Sequence, residues 1–182
     1  TKLLKTLRWV TVNTEKTHKL AEYQEPPYII KNVQLFFEII DFNEVKVKEI
    51  LQVEPNPDSR KSSQDFILDL TGNEPIQSIS INGKTQEIKT NPEGQIVLPG
   101  SNKPFTVTAT RTLNPSKNKQ GHGLYQSGDT LVTQNESIGF RSIMPFPDRP
   151  DISCTWTTTI TAPNKEFPVV LATGDLKTKQ QK

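Results

Sequence analysis

The feature that most constrains the fold is an alternation of apolar and polar residues with a period of two, which begins near Tyr28. It is clearest in residues 33–39, 45–53 and 105–113. Because successive side chains of a strand point to opposite faces of a sheet, this period predicts strands with one buried and one wet face. The wet positions are rich in Thr, Lys and Gln, as is typical of antiparallel sheets.

Turn residues divide these strands at short intervals. Asn82-Gly83 lies between two extended runs and predicts a tight hairpin, because both residues tolerate a positive φ. Asn91 to Gly94 predicts a second turn, and Pro99-Gly100 a third break. Together with 14 prolines, this pattern predicts an all-β fold, an antiparallel sheet or sandwich. The apolar run at 167–172 predicts one more buried segment.

Composition excludes several classes of protein. The 182 residues leave room for one domain or two small ones, and 32% hydrophobic residues predict a thin core. The net charge of +2 gives no basic patch for nucleic acid or an anionic membrane, and no apolar stretch is long enough to span one. The single Cys excludes an internal disulfide and fits a reducing compartment, so we expect a cytoplasmic protein.

The ends of the chain differ from its middle. Residues 1–21 are basic with scattered apolar residues, and lack the long apolar core and cleavage site of a secretory signal. We expect a loosely ordered leader there, while an organelle transit peptide stays open. Residues 22–176 form the β-rich domain, and residues 177–182 form a polar tail.

The segment 121–151 is too rich in Gly, Pro, acidic and aromatic residues to be a plain strand. It contains one candidate strand, Thr130 to Gln134, and at its end Gln134 and Glu136 are expected on one side. A carboxylate beside an amide carbonyl is suited to receive an ammonium group. On spacing alone, a solvated Glu136 paired with Lys or Arg is the more common arrangement. We likewise expect Asp148 to Asp151 to form a self-paired charged turn with Arg141 as partner.

Two strings in this segment resemble a known family. Residues 123–129 read GLYQSGD, and residues 133–151 read TQNESIGFRSIMPFPDRPD. They resemble the N-terminal domain of M1-family zinc aminopeptidases, with the bacterial aminopeptidase N branch the most similar. Residues 23–35 are similar to the entry strand of that family, and residues 78–83 to its hairpin. The resemblance covers roughly residues 23–175.

The resemblance implies an all-β, curved, saddle-like domain that packs on a thermolysin-like catalytic domain. It implies that Glu136 binds the free α-amino group of a peptide and that Gln134 lines the pocket for the first side chain. The zinc ligands of the family come from His-Glu-x-x-His and a later Glu, and a Gly-Ala-Met-Glu-Asn loop adds a second substrate-binding glutamate; none of these strings occurs here. The only histidines, His18 and His122, cannot supply a helical zinc pair.

These implications predict that the chain is the substrate-recognition domain of a zinc aminopeptidase. Alone, this domain would have no catalytic activity and no metal site, and it would lack the last strands of the family domain. Its partners would be peptide N-termini and the missing catalytic domain, with zinc held by the parent enzyme. The alternative is a standalone β-sandwich binding module derived from the same fold. A third hypothesis, a hydrolase using Ser127 or Ser116 with His122 and Asp129 or Asp148, is disfavoured because neither serine sits in a strand-turn-helix elbow.

Overall fold

The computed structural model describes residues 19–59 and 64–180, and this part of the chain is almost entirely β-structure. Single 3-10 turns at Leu20–Glu22, Pro115–Lys117 and Phe140–Ser142 provide its helical residues. The all-β prediction is confirmed, and the described strands form three sheets whose pairings are mainly antiparallel. The strands are β1 (Tyr28–Ile39), β2 (Val45–Pro55), β3 (Phe66–Leu68), β4 (Ile76–Ile81), β5 (Lys84–Thr85), β6 (Lys89–Thr90), β7 (Ile96–Leu98), β8 (Phe105–Leu113), β9 (Gly123–Ser127), β10 (Thr130–Gln134) and β11 (Thr155–Thr161).

Six of these strands form a main sheet in the order β11-β1-β2-β8-β4-β5. All its pairings are antiparallel except that of β11, which runs parallel to β1 with Val33 beside Trp156. This edge pair is the exception to the antiparallel pairing that the sequence predicted. A parallel pair needs a long connection, and here residues 40–154 lie between the end of β1 and the start of β11.

A single apolar core lies against one face of the main sheet, which we call the inner face. The alternating residues of β1, β2 and β8 supply one side of it, as their period of two predicts. The other side comes from a three-stranded sheet, β3-β7-β6, and from residues 143–146. Tyr28, Phe66 and Phe105 meet edge to face within it, with ring centroids 5.3–5.6 Å apart.

The predicted turns are present. Asn82 and Gly83 both have positive φ, 50° and 79°, and join β4 to β5 in a two-residue hairpin. The backbone N–H of Gly94 donates to the carbonyl of Asn91 at 2.9 Å and closes the turn between β6 and β7.

The expectation of a buried run at 167–172 is wrong. Val169 is 72% exposed and Leu171 is 86% exposed, and no described residue of this run is assigned to a strand. Apolar composition alone predicted burial, but among the described residues no neighbouring strand pairs with this backbone.

Most of the expected leader, residues 1–18, lies outside the described residues. Of the leader, only residues 19–21 are described, and residues 20 and 21 belong to the 3-10 turn Leu20–Glu22. Within residues 19–59 and 64–180, no helix has the length and apolar character needed to cross a bilayer.

Candidate functional site

The hairpin of β9 and β10 carries the two residues singled out from the sequence. The predicted strand at Thr130–Gln134 is confirmed, and it pairs antiparallel with β9 so that Gln134 lies opposite Gly123. Gln134 is the last residue of the strand, and Glu136 lies in the turn that follows. Because β10 ends at Gln134, the alternation of side chains along a strand does not determine the direction of the Glu136 side chain.

Both side chains are exposed, and neither has a hydrogen bond or an ion pair with another described residue. The alternative in which Glu136 pairs with a Lys or Arg has no such pair in the described part of the chain. A groove of about 510 Å³ lies elsewhere, against the outer face of the main sheet near Phe36 and Lys48, and neither Gln134 nor Glu136 lines it.

Close packing fixes the backbone behind Glu136. A Cβ built on Gly139 would lie 2.5 Å from Nε2 of His122 and 2.7 Å from Cα of Asn135, so only glycine fits there. The hydroxyl of Ser142 donates to the carbonyl of Gly139 at 2.6 Å. Asn135 has a buried Oδ1 without a hydrogen-bond partner among the described residues. The turn thus rests on His122 from one side and on Ser142 from the other.

Asn118 anchors the start of β9. Its side-chain amide donates to the carbonyls of His122 at 2.7 Å and Leu124 at 2.9 Å. Asn118 directly follows the 3-10 turn at Pro115–Lys117, so the amide ties the hairpin to the end of β8. The first of these hydrogen bonds holds the backbone of His122, the residue that a Cβ on Gly139 would meet.

A buried arginine that the sequence analysis missed supports the same region. Arg111 is fully buried in β8 and donates to carbonyls of two loops at 2.8–3.2 Å, those of Thr71, Glu74, Ser142 and Ile143. Burial lowers the pKa of its guanidinium, and the charge of Glu74, 3.9 Å away, opposes that shift. The signal was visible, because Arg111 occupies an inward position between Ala109 and Leu113.

Arg141 pairs with Asp148, as expected from the sequence. Its Nε donates to Oδ2 of Asp148 at 3.0 Å and its Nη2 donates to the carbonyl of the same residue at 2.6 Å. Asp69, which the sequence analysis did not identify, completes the cluster: its Oδ2 lies 3.4 Å from Nη2 of Arg141 and accepts from the backbone N–H of Asp148 at 3.1 Å. The segment after the turn is thereby fastened to β3.

Arg149 and Asp151 form the predicted self-paired turn. The hydrogen bond from Arg149 lowers the pKa of the Asp151 carboxyl and raises the pKa of Arg149. The hydroxyl of Tyr23 also donates to Asp151 at 3.0 Å, and Arg149 donates to the carbonyl of Gln24 at 3.0 Å. The residues before β1 are therefore tied to the same charged turn.

The residues of the hydrolase hypothesis are not brought together. The hydroxyl of Ser116 donates to Asn43 and Asn114, and Asp148 is engaged by Arg141. Asp129 accepts a hydrogen bond from its neighbour Thr130. No hydrogen bond in the described part of the chain joins either Ser116 or Ser127 to His122.

The described residues do not fit a zinc ion. Nowhere in 19–59 or 64–180 do three or more His, Cys, Asp or Glu side chains converge in a way that could hold a metal. Zinc sites in enzymes use three protein ligands of these types. We therefore derive no chemical step through zinc from these residues.

Comparison with known proteins adds an independent line of evidence. The family model of the Peptidase M1 N-terminal domain matches residues 112–182. The chain is 32% identical over 155 residues to aminopeptidase N of Escherichia coli (strain K12). The matched region covers 85% of this chain and 17% of the Escherichia coli protein. It is 31% identical over 167 residues to aminopeptidase N of Caulobacter vibrioides, with 90% and 18% covered.

A solved structure agrees with these matches. Aminopeptidase A of Legionella pneumophila, in complex with aspartic acid, superposes with a TM-score of 0.74 at 28% identity, over 85% of this chain and 18% of that one. This chain therefore spans less than a fifth of the length of these three relatives. Together with the all-β fold, these matches show that the chain is homologous to the N-terminal domain of M1-family aminopeptidases.

Proposed function

We propose that this domain recognises the substrate in a larger zinc aminopeptidase that removes N-terminal residues from peptides. The observation that carries the proposal is the exposure of the Gln134 and Glu136 side chains. Both side chains are exposed at the end of β10 without a partner among the described residues, while the backbone behind them is fixed by His122 and Arg111. A free carboxylate on a rigid support is the arrangement that a cationic ligand requires.

In this proposal Glu136 supplies the counter-charge for the α-ammonium group of the peptide, and Gln134 borders the site of the first side chain. An ammonium group covered by protein needs a charged, hydrogen-bonding partner to offset its lost hydration. A substrate without that ammonium would leave Glu136 buried and unpaired, which is a strong basis for rejecting it. Glu136 would thus favour removal of terminal residues over cleavage inside a chain.

The rest of the parent enzyme would supply the chemistry and cover the site. Zinc, the attacking water and the general base would lie on polypeptide outside these 182 residues, since the described residues do not fit a metal. Ile138, two residues after Glu136, is 48% exposed and offers an apolar contact for a covering domain. The partners would be peptide N-termini and that catalytic domain, with no role for nucleic acid or membrane.

Replacing Glu136 in the complete enzyme tests this role. Glu136→Gln keeps the shape and removes the charge, so we expect a higher KM and a kcat/KM lower by about tenfold or more in steady-state assays. Glu93→Gln is the matched control, because Glu93 is also exposed but lies in the turn between β6 and β7, outside the hairpin of β9 and β10 and the turn that follows it. Kinetics of Glu136→Gln equal to those of the control would remove the proposed role.

The isolated chain provides a second test. We expect no hydrolysis of an aminoacyl-coumarin substrate by the 182-residue protein, with or without added zinc. Fluorescence release measured against the complete enzyme checks this. Turnover by the short chain alone would show that it carries chemistry that we assign to the parent.

A further inference from the structure

Ser142 lies between the backbone segments that carry the two candidate substrate-binding residues. It is the last residue of the 3-10 turn Phe140–Ser142, and it is half-buried. Its hydroxyl donates to the carbonyl of Gly139 at 2.6 Å, and its backbone N–H donates to the same carbonyl at 3.0 Å. Gly139 follows Glu136 by three residues, so both hydrogen bonds hold the end of the turn that carries Glu136.

The same side chain packs against the strand that pairs with Gln134. Gly123, the first residue of β9, lies opposite Gln134 in the hairpin. A Cβ built on Gly123 would lie 2.2 Å from Oγ of Ser142, so the hydroxyl occupies the space that a larger residue would need. The positive φ of Gly123, 71°, also favours glycine. The Ser142 side chain therefore contacts the support of Gln134 and the support of Glu136 at once.

A buried charge holds Ser142 itself in place. The carbonyl of Ser142 accepts a hydrogen bond from Nη1 of Arg111 at 3.0 Å, and Arg111 is fully buried in β8. Hydrogen bonds from charged donors are stronger than those from neutral ones, and a buried guanidinium that lost an acceptor would bear a large desolvation cost. The position of Ser142 is thus set by the main sheet, and Ser142 fixes the hairpin and the turn relative to that sheet.

We propose that Ser142 is a positioning residue for substrate binding, which sets the distance between Gln134 and Glu136 and thereby the fit of the first residue of a peptide. The inference rests on the proposed function, in which Glu136 receives the α-ammonium group and Gln134 borders the first side chain. Both groups belong to one residue of the substrate, so the two side chains that receive them must keep a fixed separation. A hydroxyl that braces both supports meets this need, because a displacement of about 1 Å in such a site is costly.

Removing the hydroxyl in the complete enzyme tests the proposal. Ser142→Ala loses the hydrogen bond to Gly139 and the contact of Oγ with Gly123, while the carbonyl that accepts from Arg111 remains. We expect the KM for peptides to rise by about tenfold with kcat changed less, and the ratio of kcat/KM for a free to an acetylated N-terminus to fall. A serine that only stabilised the fold would change the free energy of unfolding and leave KM and this ratio as in the wild type.

Ser101→Ala is the matched control for this variant. The hydroxyl of Ser101 likewise donates to a main-chain carbonyl, that of Lys103 at 2.9 Å, but it lies in the loop between β7 and β8. The control should keep the KM and the selectivity ratio of the wild type. Values for Ser142→Ala equal to those of the control would overturn the proposal.

Gly123→Ala gives a second, independent prediction. Its new methyl group would displace the Ser142 hydroxyl, so KM should rise as in Ser142→Ala, while the strain from the positive φ is the same with or without that hydroxyl. If Ser142 carries the effect, the double variant should raise KM little more than either single variant. Effects on KM that simply multiply would mean that the two substitutions act separately, and would overturn the proposal.

Glu136→Gln, measured beside these variants, separates the two ways in which the account can fail. If Glu136→Gln lowers the selectivity ratio and Ser142→Ala matches Ser101→Ala, the positioning role of Ser142 is wrong and the proposed function stands. If Glu136→Gln leaves the ratio unchanged, the proposed function fails and the role of Ser142 fails with it.

Discussion

At the scale of single residues, the main sheet contains a carboxyl group that its surroundings do not accommodate as a charge. Glu49 is fully buried at an inward position of β2, between Val47 and Leu51, and neither of its carboxylate oxygens has a hydrogen-bond partner among the described residues. Burial raises its pKa well above the usual value of 4.5. Burial also raises the pKa of Cys154, and the charge of Glu49 raises it further.

Replacing this residue is expected to stabilise the domain. A buried polar group without a partner costs about 1–3 kcal/mol, so Glu49→Met should raise the free energy of unfolding at pH 7 by about 2 kcal/mol. Below the unfolded-state pKa near 4.5, the Glu49 carboxyl is protonated in both the folded and the unfolded protein, and the free energy of unfolding of the wild type is not reduced by its ionisation. As the pH rises from there through the higher folded-state pKa, that free energy falls, because only the unfolded chain readily ionises the group.

Urea unfolding of the chain at several pH values between 4 and 8 measures this effect. The wild-type profile should fall across the range, and the Glu49→Met profile should be flatter. Glu93→Met, at an exposed position, should follow the wild type. A variant less stable than the wild type at pH 7 would mean that Glu49 has a partner that the contacts described above do not include.

At the scale of elements, the alternating pattern was enough to predict most of the strands, because it follows directly from the pleat of a sheet. The hairpin at Asn82-Gly83 was predictable for a similar reason, since the turn depends on those two residues. The direction of β11 was not predictable, because it depends on the path of the segment 135–154 rather than on the strand itself. The same holds for the turn at Glu136, which packs against His122, a residue of the loop before β9.

The support of that turn gives a prediction at this scale. Gly139 has a φ of −143°, which alanine also adopts, so Gly139→Ala acts through the clash with His122 and the backbone of Asn135 alone. We expect the turn to shift and the KM of the complete enzyme for peptides to rise by about tenfold or more, with kcat changed less.

Gly94→Ala is the control for this variant. A Cβ at Gly94 meets no atom within 4 Å, and its positive φ strains the turn between β6 and β7 rather than the turn at Glu136. It should cost stability without changing KM. An unchanged KM in Gly139→Ala would show that the position of Glu136 does not depend on this contact.

At the scale of the whole molecule, sequence patterns predicted the fold class better than they predicted which residues are exposed at the surface. Residues 167–172 have the composition of a buried strand, but only Phe167 is half-buried, against Phe42, and residues 168–172 lie exposed. A strand needs a neighbour to pair with, and composition does not supply one. Gln134 and Glu136 were identified through the family resemblance, since their spacing alone favoured an ordinary surface carboxylate. The inward position of Arg111 was visible in the alternation of β8, but the partners of Arg111 and Asp69 came only from the structure, because they lie far away in the sequence.

The most direct test of the central claim, that Glu136 holds the ammonium group of the substrate, is a measurement of selectivity for that group. The quantity is the ratio of kcat/KM for a peptide with a free N-terminus to that for the same peptide acetylated there, in the complete enzyme and in its Glu136→Gln variant. We predict that this ratio falls by about tenfold or more in the variant, because only the free amine loses its counter-charge. An unchanged ratio would contradict the claim.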